Sequence, residues 1–147
     1  MTRHRYALTA AIGFSVAASA GAQSAATPAS IGRALARIKA DNAWTLAQQQ
    51  SICEIPAPPF KEAARGAEFK RRFEALGLTA RIDSVGNVIA ERKGSARGPT
   101  VLIQGHLDTV FPAGTDVKVK RDGNLMRGPG IGDDCRGLAV VLAVARA

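Results

Sequence analysis

Two short segments of this sequence carry the side chains best suited to chemistry. In the first, the apolar run Thr100 to Gln104 leads directly into Gly105, His106, Leu107 and Asp108. Residues two apart in an extended chain point to the same side, so His106 and Asp108 are predicted to project together from the end of a buried strand. A neutral imidazole is a good zinc ligand, and a carboxylate can accept its other N–H. The same pair is also compatible with a purely structural buried histidine.

The second segment places two adjacent carboxylates, Asp133 and Asp134, where a Gly-rich loop enters a helix. Like charges side by side cost free energy unless a cation or hydrogen-bond donors offset them. Asp133 is therefore a candidate for a carboxylate that bridges two metal ions. The alternative is helix capping, since aspartate is favoured at helix starts. A dinucleotide-binding loop fits poorly, because Asp133 stands where its third glycine belongs and the loop follows a predicted hairpin.

The flanking sequence predicts an α/β layered fold, because helical and strand patterns alternate. Pro-containing residues 55–60 separate the first two helices, and Gly77 is a natural stop for the second. The predicted helices are Ile31–Gln50, capped by Ser30, then Lys61–Leu76 and a last helix from Gly137 to Ala147; the predicted strands are Thr79–Asp83, Asn87–Arg92, Thr100–Gln104, Val117–Arg121 and Asn124–Met126.

Taken together, the strings VLIQGHLDTV and GPGIGDDCRGLAVVLAVA resemble the zinc-dependent aminoacylase/carboxypeptidase family of metallopeptidases. This family includes bacterial glutamate carboxypeptidase, peptidase T, acetylornithine deacetylase and aminoacylase-1. The upstream helix, Pro-containing loop, helix and strand with a Gly-Asn turn fit the family too, so the resemblance covers residues 31–147. It implies the incomplete N-terminal half of a layered di-zinc exopeptidase catalytic domain, with a central mixed sheet flanked by helices.

The resemblance also implies a role for each candidate residue. His106 would be a terminal ligand of one zinc ion, Asp133 would bridge both zinc ions, and Asp108 would be the catalytic carboxylate that orients the site. Two Zn²⁺ ions are implied for a complete site, with cobalt or manganese as alternatives. The peptide bond between Asp133 and Asp134 would be cis. Cys135 and Arg136 replace the Lys-Gly of many relatives, and Cys135 is not expected to bind metal.

The predicted function is therefore a metal-dependent hydrolase that cleaves peptide or N-acyl amide bonds with a zinc-activated water. A small peptide or N-acyl amino acid is the expected substrate, and a homodimer is compatible with the resemblance. The general base and the other ligands of the family come after residue 147, so the fragment alone is predicted to be inactive. The alternative is a catalytically inactive truncated remnant or a module that only binds.

The first residues resemble a secretory signal peptide rather than part of the fold. Arg3 and Arg5 precede an uncharged apolar run of about 15 residues, which is shorter than a membrane span, and small residues follow up to Ala22. We predict cleavage after Ala22, a secreted or periplasmic protein, a flexible leader over residues 23–30 and a truncated catalytic domain over 31–147. An uncleaved membrane anchor is the alternative; after cleavage, no stable membrane association is expected.

Charge and cysteine content refine this view. The formal net charge is +8, and removal of Arg3 and Arg5 lowers it to +6. A basic chain can bind nucleic acid, but the charges are scattered and the densest cluster, residues 70–72, lies in a predicted helix, so no nucleic-acid partner is expected. Cys53 and Cys135 are 82 positions apart and form no CxxC pair, so both are predicted to be free thiols.

Overall fold

The computed structural model describes residues 28–94 and 99–147, in which four helices and two β-hairpins form. The elements are α1 (Ala29–Ala40), α2 (Asn42–Cys53), α3 (Ala63–Ala75), β1 (Thr79–Ile82), β2 (Val88–Glu91), β3 (Lys120–Asp122), β4 (Leu125–Arg127) and α4 (Cys135–Arg146). The predicted α/β class is confirmed at this level. The predicted signal peptide and most of the predicted leader lie outside the described residues.

The first predicted helix is in fact two helices that meet at Asp41. The backbone N–H of Asp41 closes α1 on the carbonyl of Arg37, and its own carbonyl accepts the N–H of Thr45 in α2. Aspartate and asparagine offer the backbone local alternatives to helical bonding, which explains a boundary at Asp41. The prediction that Ser30 caps α1 is wrong, because the helix begins at Ala29 with Pro28 in the cap position.

Helix α3 and the first hairpin follow the predicted order with shorter bounds. The chain leaves α3 through Gly77, whose φ of +79° is the left-handed conformation that glycine adopts without strain. Strands β1 and β2 are antiparallel, and Thr79 pairs with Glu91. The second hairpin pairs Lys120 with Arg127. Its tight turn contains Gly123 at φ +55°, so the predicted turn at residues 122–123 is confirmed.

The predicted buried strand at Thr100–Gln104 is wrong. Residues 99–109 form no strand, and Val101 and Leu102 are 78% and 81% exposed. Each strand among the described residues pairs only with its hairpin partner. An extended segment without a neighbouring strand has no ladder to join. For the same reason the predicted central mixed sheet does not form within residues 28–94 and 99–147.

The apolar core lies between α2, α3, α4 and the first hairpin. Phe69 and Phe73, one turn apart on α3, meet edge to face with ring centroids 4.9 Å apart. At the far end of α4 the Arg146 guanidinium lies 4.5 Å from the centre of the Trp44 ring and donates to Asp41 at 2.8 Å. The buried core residues are Ile52, Phe69, Phe73, Ala80, Leu138 and Leu142.

Cys53 and Cys135 form a disulfide bond, so the prediction of two free thiols is wrong. Sequence separation concealed the pair, because only the packing of α2 against α4 brings the two Cα atoms to 5.4 Å. That distance is in the usual range for disulfides. Both cysteines are completely buried. The bond joins the last residue of α2 to the first residue of α4.

Within residues 28–94 and 99–147, no helix combines the length and apolar character that a membrane crossing requires.

Candidate metal centre

The side chains of His106, Asp108 and Asp133 meet at one place on the surface. Nε2 of His106 lies 2.8 Å from Oδ1 of Asp133, although 27 positions separate the residues. On the other side of the ring, Nδ1 lies 3.0 Å from Oδ1 of Asp108 and 3.1 Å from its backbone oxygen. The structure thus brings together all three predicted site residues, with Asp108 and Asp133 on opposite edges of one imidazole.

Three contacts hold the segment that carries His106. The backbone N–H of Thr109 donates to the carbonyl of Ala57 at 2.8 Å, and Thr109 is fully buried. Nη1 of Arg65 donates to the carbonyl of Leu107 at 2.8 Å. The backbone N–H of His106 itself donates to Oδ2 of Asp134 at 3.0 Å. Specific hydrogen bonds therefore position this irregular segment, in place of the predicted strand.

The loop before α4 turns tightly so that Asp133 faces the histidine. Gly130 adopts φ +73°, and a Cβ atom there would lie 2.8 Å from Cγ2 of Thr109. Only glycine satisfies both the left-handed conformation and this close approach. The N–H of Cys135 donates back to the carbonyl of Gly130 at 3.2 Å. The Asp133–Asp134 peptide bond is cis, as the resemblance implied.

Residues of helix α2 contact the same loop. Nε2 of Gln49 donates to the carbonyl of Ile131 at 2.7 Å. One turn along the helix, Sγ of Cys53 lies 3.3 Å from the carbonyl oxygen of Pro129. Because that sulfur is in a disulfide and has no proton, this is a packing contact. Gln49 and the disulfide together fix the loop against α2.

The charges around the imidazole favour its protonated form when no metal is bound. The hydrogen bond with Asp133 is the main cause that raises the pKa of His106, Asp108 adds to it, and partial burial opposes both. Arg65 is almost fully buried, and among the described residues no acidic side chain accepts a hydrogen bond from it. Its guanidinium instead contacts the carbonyls of Cys53, Ile55 and Leu107. Burial lowers the pKa of Arg65, and the negative charge of Asp108 opposes that shift.

Sequence reasoning missed three residues that support the centre: Arg65, Asp134 and Gln49. Arg65 carried a usable signal, since it lies four positions before Phe69 and therefore on the apolar face of α3. A charge on that face indicates a buried role. Asp134 had a weaker signal, since the glycines at positions 105 and 137 leave room for its carboxylate in the folded chain. No pattern in the sequence singled out Gln49.

A wide, open cleft adjoins the histidine. Its volume is about 1110 Å³, and its wall includes His106, Asp108, Phe60, Leu102 and Leu138. Asp133 does not line this cleft. Its side chain is 83% exposed on the other edge of the imidazole, whereas that of His106 is 45% exposed. Within the described ranges 28–94 and 99–147, no three His, Cys, Asp or Glu side chains are grouped as a full metal cage.

Comparison with known proteins agrees with the resemblance found in the sequence. Residues 87–147, which include the whole candidate centre, match the family described as peptidase family M28. A protein of Pyrococcus furiosus named as a LysW-lysine/LysW-ornithine hydrolase is 44% identical over 59 residues, which are 40% of this chain and 18% of that protein. A relative of the same name in Pyrococcus abyssi is 38% identical over 73 residues, which are 50% of this chain and 21% of that protein. Another in Thermococcus kodakarensis is 39% identical over 61 residues, which are 42% of this chain and 17% of that protein.

These matches bear out the predicted resemblance to zinc-dependent aminoacylases and peptidases, and they support a hydrolase. The chain spans about a fifth of the length of the curated relatives it matches. The roles predicted for His106, Asp108 and Asp133 are not tested by these comparisons and stay predictions.

Proposed function

We propose that this chain, which corresponds to the N-terminal part of a zinc-dependent aminoacylase/peptidase, supplies one histidine ligand and one bridging carboxylate to a metallohydrolase centre. The observation that carries the proposal is the 2.8 Å approach of His106 Nε2 to Asp133 Oδ1, with Nδ1 held by Asp108. An imidazole held by a carboxylate on one nitrogen presents the other nitrogen to its ligand.

The residues fit a zinc ion by the chemistry of their donors. Imidazole nitrogen and carboxylate oxygen are both established zinc ligands. When bound, zinc supplies an activated water and polarises a scissile carbonyl. Asp108 accepts the Nδ1 proton of the neutral histidine and so fixes the tautomer with Nε2 free to bind. Asp133, largely exposed and with two carboxylate oxygens, can contribute one oxygen to each of two ions.

The substrate class follows from the family rather than from the cleft. We propose hydrolysis of a peptide or N-acyl amide bond in a small substrate. The names of the relatives mention lysine and ornithine. Amides of basic amino acids therefore belong in the panel of substrates tested.

We also propose that the protein is exported, on the basis of the signal-like residues 1–22. The Cys53–Cys135 disulfide supports this proposal. Disulfides persist in oxidising compartments such as the periplasm and are rare in the cytosol of most organisms. Mass spectrometry of the periplasmic or secreted product is expected to give an N-terminus at Gln23, and a soluble product that keeps Met1 would contradict export.

Hydrolysis by the protein expressed from its complete gene tests the catalytic proposal. His106→Ala and Asp133→Ala are expected to lower kcat/KM for dipeptides or N-acyl amino acids by at least about a hundredfold, because loss of a residue that only supports a metal ligand already costs about 10- to 100-fold. Asp122→Ala, an exposed aspartate of the second hairpin, is the matched control and is expected to keep wild-type activity. Equal activity of all three variants would contradict the proposal. Zinc binding without turnover of any substrate would favour a binding-only protein.

A further inference from the structure

We propose that Asp134 is a positioning residue of the centre, whose carboxylate fixes the main chain of His106 to the loop that carries Asp133. This inference rests on the proposed function, because the value of the contact lies in holding a metal ligand. The contact itself is the 3.0 Å hydrogen bond from the His106 backbone N–H to Oδ2 of Asp134.

Two glycines leave the space that this carboxylate occupies. A Cβ atom on Gly105 would lie 2.6 Å from Oδ2 of Asp134. A Cβ atom on Gly137, on the other side, would overlap the same carboxylate. Neither glycine has the left-handed φ that would explain it by conformation. Close approach to Asp134 is therefore the physical reason for a glycine at both positions.

Helix capping, the ordinary explanation for aspartate at this position, does not apply. Asp134 directly precedes α4, yet its side chain makes no capping hydrogen bond to that helix. Its carboxylate instead reaches across to the segment of His106, 28 positions earlier in the chain. The half-buried side chain thus joins two segments that have no β-ladder between them.

The two neighbouring aspartates contact different atoms of the same histidine. Asp133 reaches the imidazole at Nε2, whereas Asp134 binds only the backbone N–H. The Asp134 bond therefore leaves both ring nitrogens to the metal and to Asp108. A ligand held in place before the metal arrives loses less conformational freedom on binding, which raises affinity.

The test compares four variants of the protein expressed from its complete gene: Asp134→Ala, Asp134→Asn, Gly105→Ala and Gly132→Ala. Asparagine keeps an acceptor oxygen, and alanine at 105 displaces the carboxylate without removing it. Gly132→Ala is the matched control, because a Cβ there meets nothing within 4 Å. The readouts are hydrogen exchange of the His106 amide in metal-free protein and zinc affinity by competition with a chromophoric chelator, with circular dichroism as the check on folding.

Asp134→Ala and Gly105→Ala are expected to speed exchange of the His106 amide by at least about tenfold and to weaken zinc binding by about 10- to 100-fold. Asp134→Asn and Gly132→Ala are expected to stay within about threefold of wild type. If Asp134→Ala does not fold, Gly105→Ala decides the question.

Wild-type exchange and zinc affinity in the folded Asp134→Ala protein would overturn the inference. So would an Asp134→Asn protein as impaired as Asp134→Ala, since the negative charge rather than the acceptor would then matter. His106→Ala, measured alongside, separates the two proposals. Suppose that His106→Ala binds zinc like wild type while Asp134→Ala still speeds exchange of the His106 amide. The proposed metal centre would then be contradicted, whereas the proposed contact of Asp134 with the main chain of His106 would be supported.

Discussion

The two segments that form the candidate centre are held by different kinds of interaction. The loop of Asp133 lies on α2, where Gln49 bonds to it and the Cys53–Cys135 disulfide closes its far end. The segment of His106 has no secondary structure and follows exposed apolar residues. Separate hydrogen bonds with Arg65, Asp134 and Ala57 position it. One half of the centre is thus fixed by a helix and a covalent bond, and the other half by a few separate hydrogen bonds.

This comparison implies that the His106 side is the more sensitive to single substitutions. A buried hydrogen-bonding group that loses its partner carries its full desolvation cost, because water cannot replace that partner. Several interactions hold the loop of Asp133, so the remaining ones are expected to keep it in place when one is removed. The following variants test this difference, from the largest expected effect to the smallest.

Arg65→Met is expected to have the largest effect on stability. It would leave the carbonyls of Cys53, Ile55 and Leu107 without their guanidinium partner. At about 1–3 kcal/mol for each buried unsatisfied group, we expect a loss of about 4 kcal/mol in the free energy of unfolding. Urea denaturation measures it. Arg71→Met, which removes only an exposed contact with Glu68, is the control. Equal losses in the two variants would contradict the account of Arg65.

Replacement of both cysteines by serine is expected to lower the free energy of unfolding by about 2–4 kcal/mol, because a disulfide that closes a long loop restricts the unfolded chain. The comparison is with the wild type under non-reducing conditions, again by urea denaturation. Mass spectrometry of the intact wild type should also show two hydrogens fewer than the reduced protein. A wild-type mass with both thiols free would rule out the bond.

Gln49→Ala is expected to lower the free energy of unfolding by about 1 kcal/mol and to affect only the loop of residues 128–134. It removes the hydrogen bond to the Ile131 carbonyl but leaves the disulfide in place. Hydrogen exchange should therefore rise in the loop of residues 128–134 and stay unchanged at residues 105–109. Gln50→Ala, whose amide contacts the exposed Arg121, is the control. Faster exchange at His106 in Gln49→Ala would show that the two segments are not held independently.

Glu68→Gln is expected to have the smallest effect, and the effect depends on pH. Hydrogen bonds from Arg71 and Arg72 lower the pKa of Glu68 to about 2 from an ordinary value of 4.5. A carboxyl whose pKa falls on folding stabilises the protein above its unfolded pKa, and that stabilisation is lost as pH falls through the folded pKa. The free energy of unfolding of the wild type should exceed that of Glu68→Gln by about 0.5 kcal/mol at pH 6, and this difference should shrink below pH 4.5. A difference that grows on acidification would contradict this sign.

Local patterns in the sequence predicted the elements that depend on local interactions. Gly77 ends α3 and the turn at Gly123 closes the second hairpin, since both rest on backbone preferences of one or two residues. The conjunction of His106 and Asp133 was predicted only through the family resemblance. The spacing of residues in the sequence cannot by itself predict a contact between residues 27 positions apart.

The wrong predictions concern features that depend on distant partners. The run Thr100–Gln104 has the composition of a strand, but strand formation needs a neighbour, and the described residues supply none. The disulfide depends on the packing of α2 against α4, which no local pattern encodes. The hydrogen bond between Asp134 and His106 likewise depends on folding, because it joins residues 28 positions apart.

X-ray absorption at the zinc edge is the most direct test of the claim that His106 and Asp133 hold a metal. The protein expressed from its complete gene and loaded with zinc is expected to show imidazole scattering with a Zn–N distance of about 2.0–2.1 Å. His106→Ala should lose part of that imidazole signal and bind less zinc, whereas Asp122→Ala should match wild type. An imidazole signal and a zinc content that are both unchanged in His106→Ala would contradict the metal centre proposed at this site.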